Sequence, residues 1–566
     1  MAFIKKNYRK GHCYYSIVEG YTEDGKVKHR TLLYLGRLDN LTEEKRRRIE
    51  AAVKGIPLEK RPEIEECIDS LAVCNVKNHG EVDLLYRIAE KLDLRNIINR
   101  HVIKSGGVDV GTQMIILAIN RCLDAVALQN VGLWYHHTTL EERLGIPFHE
   151  LGAENLCKAM DYIYEPIRNE EGRVIDAKDN ALPIKREIVE RYKELFGIRL
   201  DTLFYDITST YFEGDNCLIA RLGYSRDGKR DKKQIVVGLV VTKEYRFPVF
   251  YNVFEGSKSD MKTVSDMLKV LQEEFKVERT LLVMDRGMMS PDNLKDLDNS
   301  GFDSICGLKK SVKEVRGIIS EAEGLEEEEN MVRADITAVE EIKDFSGRKR
   351  KMVVYKSHEK AKAVREDREI KLAKALKELE AYAAKVNAGN YRKVSRVANK
   401  VKELSKGVSK YIKPEIIVEK GRVRLGIKKL DSKIEEAQWL DGKYLLMCTD
   451  LKLTKEEIVS AYFDKDGIEK AFRSMKGHGM RPIRNWLLNR VKTSIFVGYL
   501  AQLLLATLGY LLDNAGLKIT PEKALSYLKW QKKVVFTVRE KMMDRVSLPE
   551  LEAKEIMEKL ESVNFL

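Results

Sequence analysis

Paired cysteines, clustered histidines, proline-rich stretches and long apolar runs are all scarce in this 566-residue chain. Its eight cysteines (Cys13, Cys67, Cys74, Cys122, Cys157, Cys217, Cys306 and Cys448) are scattered, with no C-x-x-C pair among them. No histidines stand beside them at zinc-finger spacing, so a disulfide framework and a structural zinc site are both excluded, and a reducing cytoplasm is expected. Eleven prolines and 36 glycines exclude collagen-like and proline-rich low-complexity classes. The opening Met1-Ala2-Phe3-Ile4-Lys5-Lys6 has no apolar core behind its charges, so no secretory signal peptide is expected. One run, 495–512, could imitate a membrane span. It sits at the short limit for spanning, and a buried core helix with no membrane partner is the expected reading.

What is present is a chain with 44% apolar and 33% charged residues, ordinary for a folded protein. Its length suggests about three or four domains. Net charge is +13, which favours a polyanionic partner such as DNA. Residues 343–412 hold 21 basic and eight acidic residues, so the whole excess lies in that one segment.

The pattern along the chain divides it into five parts. Residues 1–75 read as a small β-hairpin domain around the Glu23-Asp24-Gly25-Lys26 turn, followed by a charged helical stretch at 42–53. Residues 76–198 have helical period and carry Arg121, Lys158, Lys185, Arg186, Arg191 and Lys193 among apolar repeats, a helical domain. From 199 to 310 the period is that of strands, in the order β-β-β-α-β-α-β. That order predicts an α/β fold with an RNase H-like catalytic domain, a mixed five-stranded sheet with flanking helices. Residues 311–440 interrupt it as a large insertion, with strands and a basic antiparallel helical hairpin whose second arm runs from Val394 to Tyr411. That hairpin fits a DNA grip, and it also fits a solvated lysine-rich coiled coil. Residues 441–566 complete the catalytic domain and add C-terminal helices.

Asp206 is expected to end the first strand of that sheet and Asp285 the fourth. If those strands are neighbours, the two carboxylates meet. Close carboxylates repel, so their pairing calls for a divalent cation, and oxygen ligands suit Mg²⁺ or Mn²⁺. Strand-end aspartates capping turns fit these residues equally well. Farther on, Glu469, Phe472, Arg473 and Lys476 share one helix face, which suits either a metal ligand beside a bound phosphodiester or a surface ion-pair face.

Tyr462, Lys465, Glu469 and Lys476 stand at the spacing Y-(2)-R-(3)-E-(6)-K, with Lys465 in place of the arginine. This resembles the signature of insertion-sequence DDE transposases. Gly223-Tyr224-Ser225-Arg226-Asp227, Asp285-Arg286-Gly287, Arg481-Pro482-Ile483 and the N-terminal Leu35-Gly36-Arg37 are similar to the same group. The resemblance implies a DNA transposase of the cut-and-paste type, cleaving transposon ends and transferring strands into target DNA, with the helical domain 76–198 as the candidate DNA-end-binding domain. It implies that Asp206, Asp285 and Glu469 are catalytic and hold two Mg²⁺ (or Mn²⁺) ions. Tyr462, Lys465, Arg473 and Lys476 would bind DNA, the lysine keeping charge but losing the bidentate fork of arginine. Implied partners are double-stranded DNA (terminal inverted repeats and target) and a second copy in a synaptic homodimer, in the cytoplasm at the nucleoid. An RNase H-like nuclease without strand transfer, and a non-catalytic DNA-binding protein, are the competing readings.

Overall fold

The computed structural model describes residues 2–9, 12–23, 25–36, 49, 71–213, 216–389, 391–419, 421–476, 482–538 and 541–563. The expected helical stretch 42–53, apart from Ile49, lies outside the described residues, as do Cys67, Arg37 and Arg481. The chain divides into two compact units, one of residues 1–78 with 531–548, the other of 79–530 with 549–566.

The first unit is all β among its described residues, apart from the single helical position Ile49. Strands Ala2–Arg9, His12–Glu23 and Lys26–Gly36 form an antiparallel meander, and Gly25 takes φ 71° in the turn between the last two. Ile4, Tyr15 and Ile17 make its small core. A second sheet joins Ala72–Asn78 to Lys532–Val538 and Lys541–Val546.

The second unit opens with helices. Among them α1 (Val110–Leu123) is buried nearly throughout, while α2 (Ala153–Ile163) and α3 (Ala181–Phe196) each bury one face. Asp109 caps α1, its carboxylate accepting the Thr112 N–H at 2.8 Å. A β-hairpin, Tyr164–Arg168 with Val174–Asp179, interrupts the helices where continuous helical period was expected. Pro166 and the Gly172 turn (φ 77°) explain it, since neither suits a helix interior.

Four strands more than expected, all on one side, widen the sheet, which has nine strands rather than five. They are β1 (Thr202–Tyr211), β2 (Gln234–Thr242), β3 (Pro248–Glu255), β4 (Leu281–Met284), β5 (Asp303–Leu308), β6 (Met331–Arg333), β7 (Ile336–Phe345), β8 (Arg348–Ser357) and β9 (Lys443–Cys448). Their order across the sheet is β6-β7-β8-β9-β5-β4-β1-β2-β3. Strand β4 lies parallel to both β1 and β5, and the remaining pairs are antiparallel. The sequence from 331 to 357, assigned by pattern to the insertion, therefore belongs to the sheet. Val353, Val354 and Tyr355 are buried like central-strand residues, and β8 pairs with β9 along its length.

The part that stands apart begins with α4 (His358–Ala388) and α5 (Val394–Leu404) and includes the hairpin Ile412–Glu419 with Arg422–Lys429. It has its own core, in which Leu379, Val386, Val397, Val401, Val423 and Leu425 are buried together. Helix α5 stops at Leu404, short of the expected Tyr411, because the chain turns at Gly407 (φ 88°). The hairpin shares the face of α4 with α5, so the arm is a helix–hairpin unit rather than a two-helix coiled coil. At its base Arg368 and Asp441 form a buried bidentate ion pair.

Next come α6 (Lys455–Asp464), closed at its start by a capping box of Thr454 and Glu457, and α7 (Asp466–Met475). Then comes α8 (Leu488–Asn514), the apolar run noted above. Its most apolar window is 89% buried inside the protein, so packing accounts for the hydrophobicity. Its polar residues turn to local partners: Thr493 Oγ1 donates to the Met160 carbonyl at 2.8 Å, and Arg490 forks onto Asp161.

Candidate active site

Strand register brings the two aspartates side by side. Met284 pairs with Tyr205 in the parallel ladder between β4 and β1, so Asp285 and Asp206 follow on adjacent strands. Asp206 does not end its strand as expected. The run Ile207-Thr208-Ser209-Thr210, β-branched at three of its four positions, continues antiparallel to β2 as far as Tyr211, while the parallel ladder stops at Tyr205. Asp206 thus marks the point where β1 loses one neighbour and opens a cleft.

That cleft, about 520 Å³, is lined by Asp206, Asp285 and Glu469 together with Asp227, Asp260 and Arg473. Glu469 enters from the first turn of α7 and is exposed. Burial, with the neighbouring Asp285 adding to it, pushes the Asp206 carboxyl up to about 6, although Lys465 and the Ile207 N–H oppose the rise. Burial also raises Asp285, but the Lys465 ammonium and the Arg286 N–H outweigh it and hold that carboxyl below its ordinary value. Among the described residues, no three His, Cys, Asp or Glu side chains are already gathered closely enough to form a metal cage.

Tyr462 and Lys465, expected to bind DNA, both reach Asp285. The Tyr462 hydroxyl donates to Asp285 Oδ1 at 3.3 Å, and Lys465 Nζ lies 3.4 Å from the same oxygen. Burial drives the Tyr462 phenol far above its usual pKa, so it stays a neutral donor. Gly307 on β5 makes room for it: a Cβ there would fall 2.8 Å from the Tyr462 hydroxyl. Lys476 pairs with Asp227 at 2.9 Å, tying the end of α7 to the 223–227 loop. Arg473 is exposed on the cleft wall.

Three cleft residues were not singled out from sequence. Asp227 and Arg226 lie in the quoted Gly223–Asp227 motif, but nothing in that motif assigned them a contact. Asp260 takes Arg226 Nη2 on both oxygens at 2.8 and 2.9 Å, and no motif marks it in the sequence. Among the candidate end-binding cations, Lys185 is buried between Phe250 and Tyr251, its ammonium 4.8 and 4.3 Å from their rings, and burial lowers its pKa to about 8. It is not a DNA contact. Lys158, Arg186 and Lys193 pair with Glu154, Glu274 and Glu190 at 2.7, 3.1 and 2.9 Å. Arg191 donates to the Lys91 carbonyl at 3.2 Å.

Residues 214–504 match the model of the transposase DDE domain, and residues 4–66 match that of the IS1634 family transposase N-terminal domain. No curated relative matches the chain. Two solved structures resemble it at low similarity. A piggyBac transposase synaptic complex with hairpin DNA aligns at 9% identity and TM-score 0.35, covering 79% of this chain and 78% of that one. A Mos1 transposase paired-end complex with left transposon end aligns at 11% and 0.15, covering 36% and 60%. Both fall below the similarity at which a shared arrangement can be argued.

Proposed function

Since the chain belongs to the DDE transposase family and is a DNA transposase, we propose that Asp206, Asp285 and Glu469 form its metal-dependent active site for cleaving transposon ends and joining them to target DNA. The observation that carries this reading is the single open cleft shared by the three carboxylates. DDE domains depend on divalent metal as a class, and the donor set fits a hard cation, being all oxygen and open to water. Asp206, Asp285 and Glu469 would hold two Mg²⁺ or Mn²⁺ ions. When bound, such ions activate an oxygen nucleophile and stabilise the leaving oxygen of an in-line displacement.

The protein's own residues orient that site. Tyr462 and Lys465 fix one oxygen of Asp285 and favour its ionised form, which supports an orienting role for both over a direct grip on DNA. Arg473 offers a guanidinium to a phosphate on the cleft wall, and Lys476 adds charge beside it. The antiparallel β1–β2–β3 meander followed by parallel β4 and β5 supports an RNase H-like catalytic core. Two ends must be cut in concert, which favours a synaptic homodimer. The seven described cysteines are all free, consistent with work in the cytoplasm on nucleoid DNA.

The test is a plasmid carrying the repeats that flank the coding region, incubated with protein and Mg²⁺. Excised and rejoined products are expected. Cut ends that are never joined, even when supplied pre-cleaved, would make the protein a nuclease.

A further inference from the structure

The Gly223–Asp227 motif and Asp260 border the cleft without a part in the chemistry assigned to it. Arg226 and Asp260 also line a second pocket of about 350 Å³, so their ion pair is a wall common to both spaces. That wall is fixed to both aspartate-bearing strands. The Arg226 N–H donates to Ser209 Oγ at 2.9 Å, three residues beyond Asp206 on β1. Gly287, two residues beyond Asp285, comes so close that an added Cβ would lie 3.0 Å from Asp260 Oδ2. Helix α7 lines the cleft with Glu469 and Arg473, whereas none of its described residues lines the second pocket.

The lining of this second pocket suits a nucleotide. Tyr224 is 80% exposed, and its ring centre lies 5.9 Å from the Arg226 guanidinium carbon, beside the shared wall. Exposed aromatic rings of this kind are platforms on which bases stack. Lys309, exposed just after β5, adds a cation. Asp260 is the one acid among the described lining residues, and Arg226 already occupies both its oxygens. Gln234 is 1% exposed and donates from Nε2 to the Tyr224 and Gly256 carbonyls at 2.9 and 3.2 Å. Those acceptors fix which way the amide faces and leave its buried Oε1 without a donor among the described residues. A buried acceptor calls for a donor, and the exocyclic amine of a base is one.

The displacement chemistry says which nucleotide. In cleavage a water oxygen bonds to phosphorus and loses a proton to solvent, while the bond to the transposon 3′-oxygen breaks and that oxygen takes up a proton. In joining, the 3′-hydroxyl gives up its proton and attacks a target phosphorus, and the target's own 3′-oxygen leaves protonated. In both steps the phosphorus keeps its 5′-linked nucleotide, of the flank first and of the target afterwards. With the transposon strand along α7, beside Arg473 and Lys476, the 5′-linked strand leaves over the other wall, the Arg226–Asp260 pair.

Resting on the active-site reading above, we propose that the pocket behind the Arg226–Asp260 pair receives the nucleotide 5′-linked to the reacting phosphate. Its base stacks on Tyr224 and meets the Gln234 amide, and Lys309 takes the next phosphate. One subsite thus serves the flank in cleavage and the target in joining.

The test measures binding in Mg²⁺ with full-length Asp206→Asn as the parent protein, so that the flank stays uncut. Two fluorescent end duplexes are compared, one stopping at the transposon 3′-hydroxyl and one continuing into a short single-stranded flank. The proposal expects the flank to tighten binding about tenfold. Tyr224→Ala and Lys309→Gln, both at exposed positions, should each remove most of that gain and bind the flankless duplex as before. An abasic first flank nucleotide should cost the parent as much as Tyr224→Ala does, and cost that variant nothing further. Full gain retained by either variant, equal losses on the two duplexes, or no gain in the parent would overturn the subsite. Failure of the functional reading looks different, and takes the subsite with it: the parent binds neither duplex, or cuts the flank at the wild-type rate.

Discussion

Asp206 carries the energetic strain of the cleft. Its carboxyl is raised to about 6 in the folded protein, chiefly by burial, against an ordinary value near 3.8. A raised acid favours its protonated form, so ionising it destabilises the metal-free fold above pH 6, and that penalty fades as pH falls toward 4. Asp206→Asn should therefore stabilise the metal-free protein at pH 8 by about 1–2 kcal/mol, discounting for exposure. The gain should vanish near pH 4 in denaturant melts, and an equal gain at both pH values would remove burial as the cause. Asp285 has the opposite balance through Lys465. Replacing Lys465 by Gln should tighten Mn²⁺ binding several-fold, since a competing cation is gone, while slowing cleavage; spin resonance titration reads the first effect. At this scale sequence was most informative. The spacing of Tyr462, Lys465, Glu469 and Lys476 marked all four, but spacing cannot say that the first two turn inward to a carboxylate 177 residues away in sequence.

Among the elements, glycines set where α6 and α7 dock. A Cβ on Gly307 would push against the Tyr462 hydroxyl, and one on Gly467 would fall 1.9 Å from Arg246 Nε. Gly467→Ala should cost about 1–3 kcal/mol in stability. Pairing it with Arg246→Ala should recover most of that loss in a double-mutant cycle, whereas strict additivity would mean the two do not meet. The arm behaves as a separate element because its core is its own and its two ends meet at the Arg368–Asp441 pair. Replacing residues 370–439 by a short Gly-Ser bridge should leave a folded protein. If the arm's lysines grip DNA, its salt dependence should flatten by several charges; an unchanged slope would make the arm a protein-contact element. Periodicity located these helices and strands well. It could not show that 331–357 joins the main sheet, because an apolar strand has the same pattern whichever neighbour it pairs with.

Across the whole molecule, three carboxylates separated by 79 and 184 residues share one cleft, and the chain between the last two builds five further strands of the sheet and an arm before returning. Sequence alone reached that convergence only through the expected adjacency of the first and fourth strands, which the parallel β1–β4 pairing bears out. The most direct measurement is the Mg²⁺-dependent joining of pre-cleaved flanking-repeat ends to target DNA by Asp206→Asn, Asp285→Asn and Glu469→Gln, each checked for DNA binding. The account predicts that each variant binds DNA like wild type and loses joining by at least about a thousandfold. Joining at the wild-type rate by any one of the three, or by wild type with metal chelated, would contradict it.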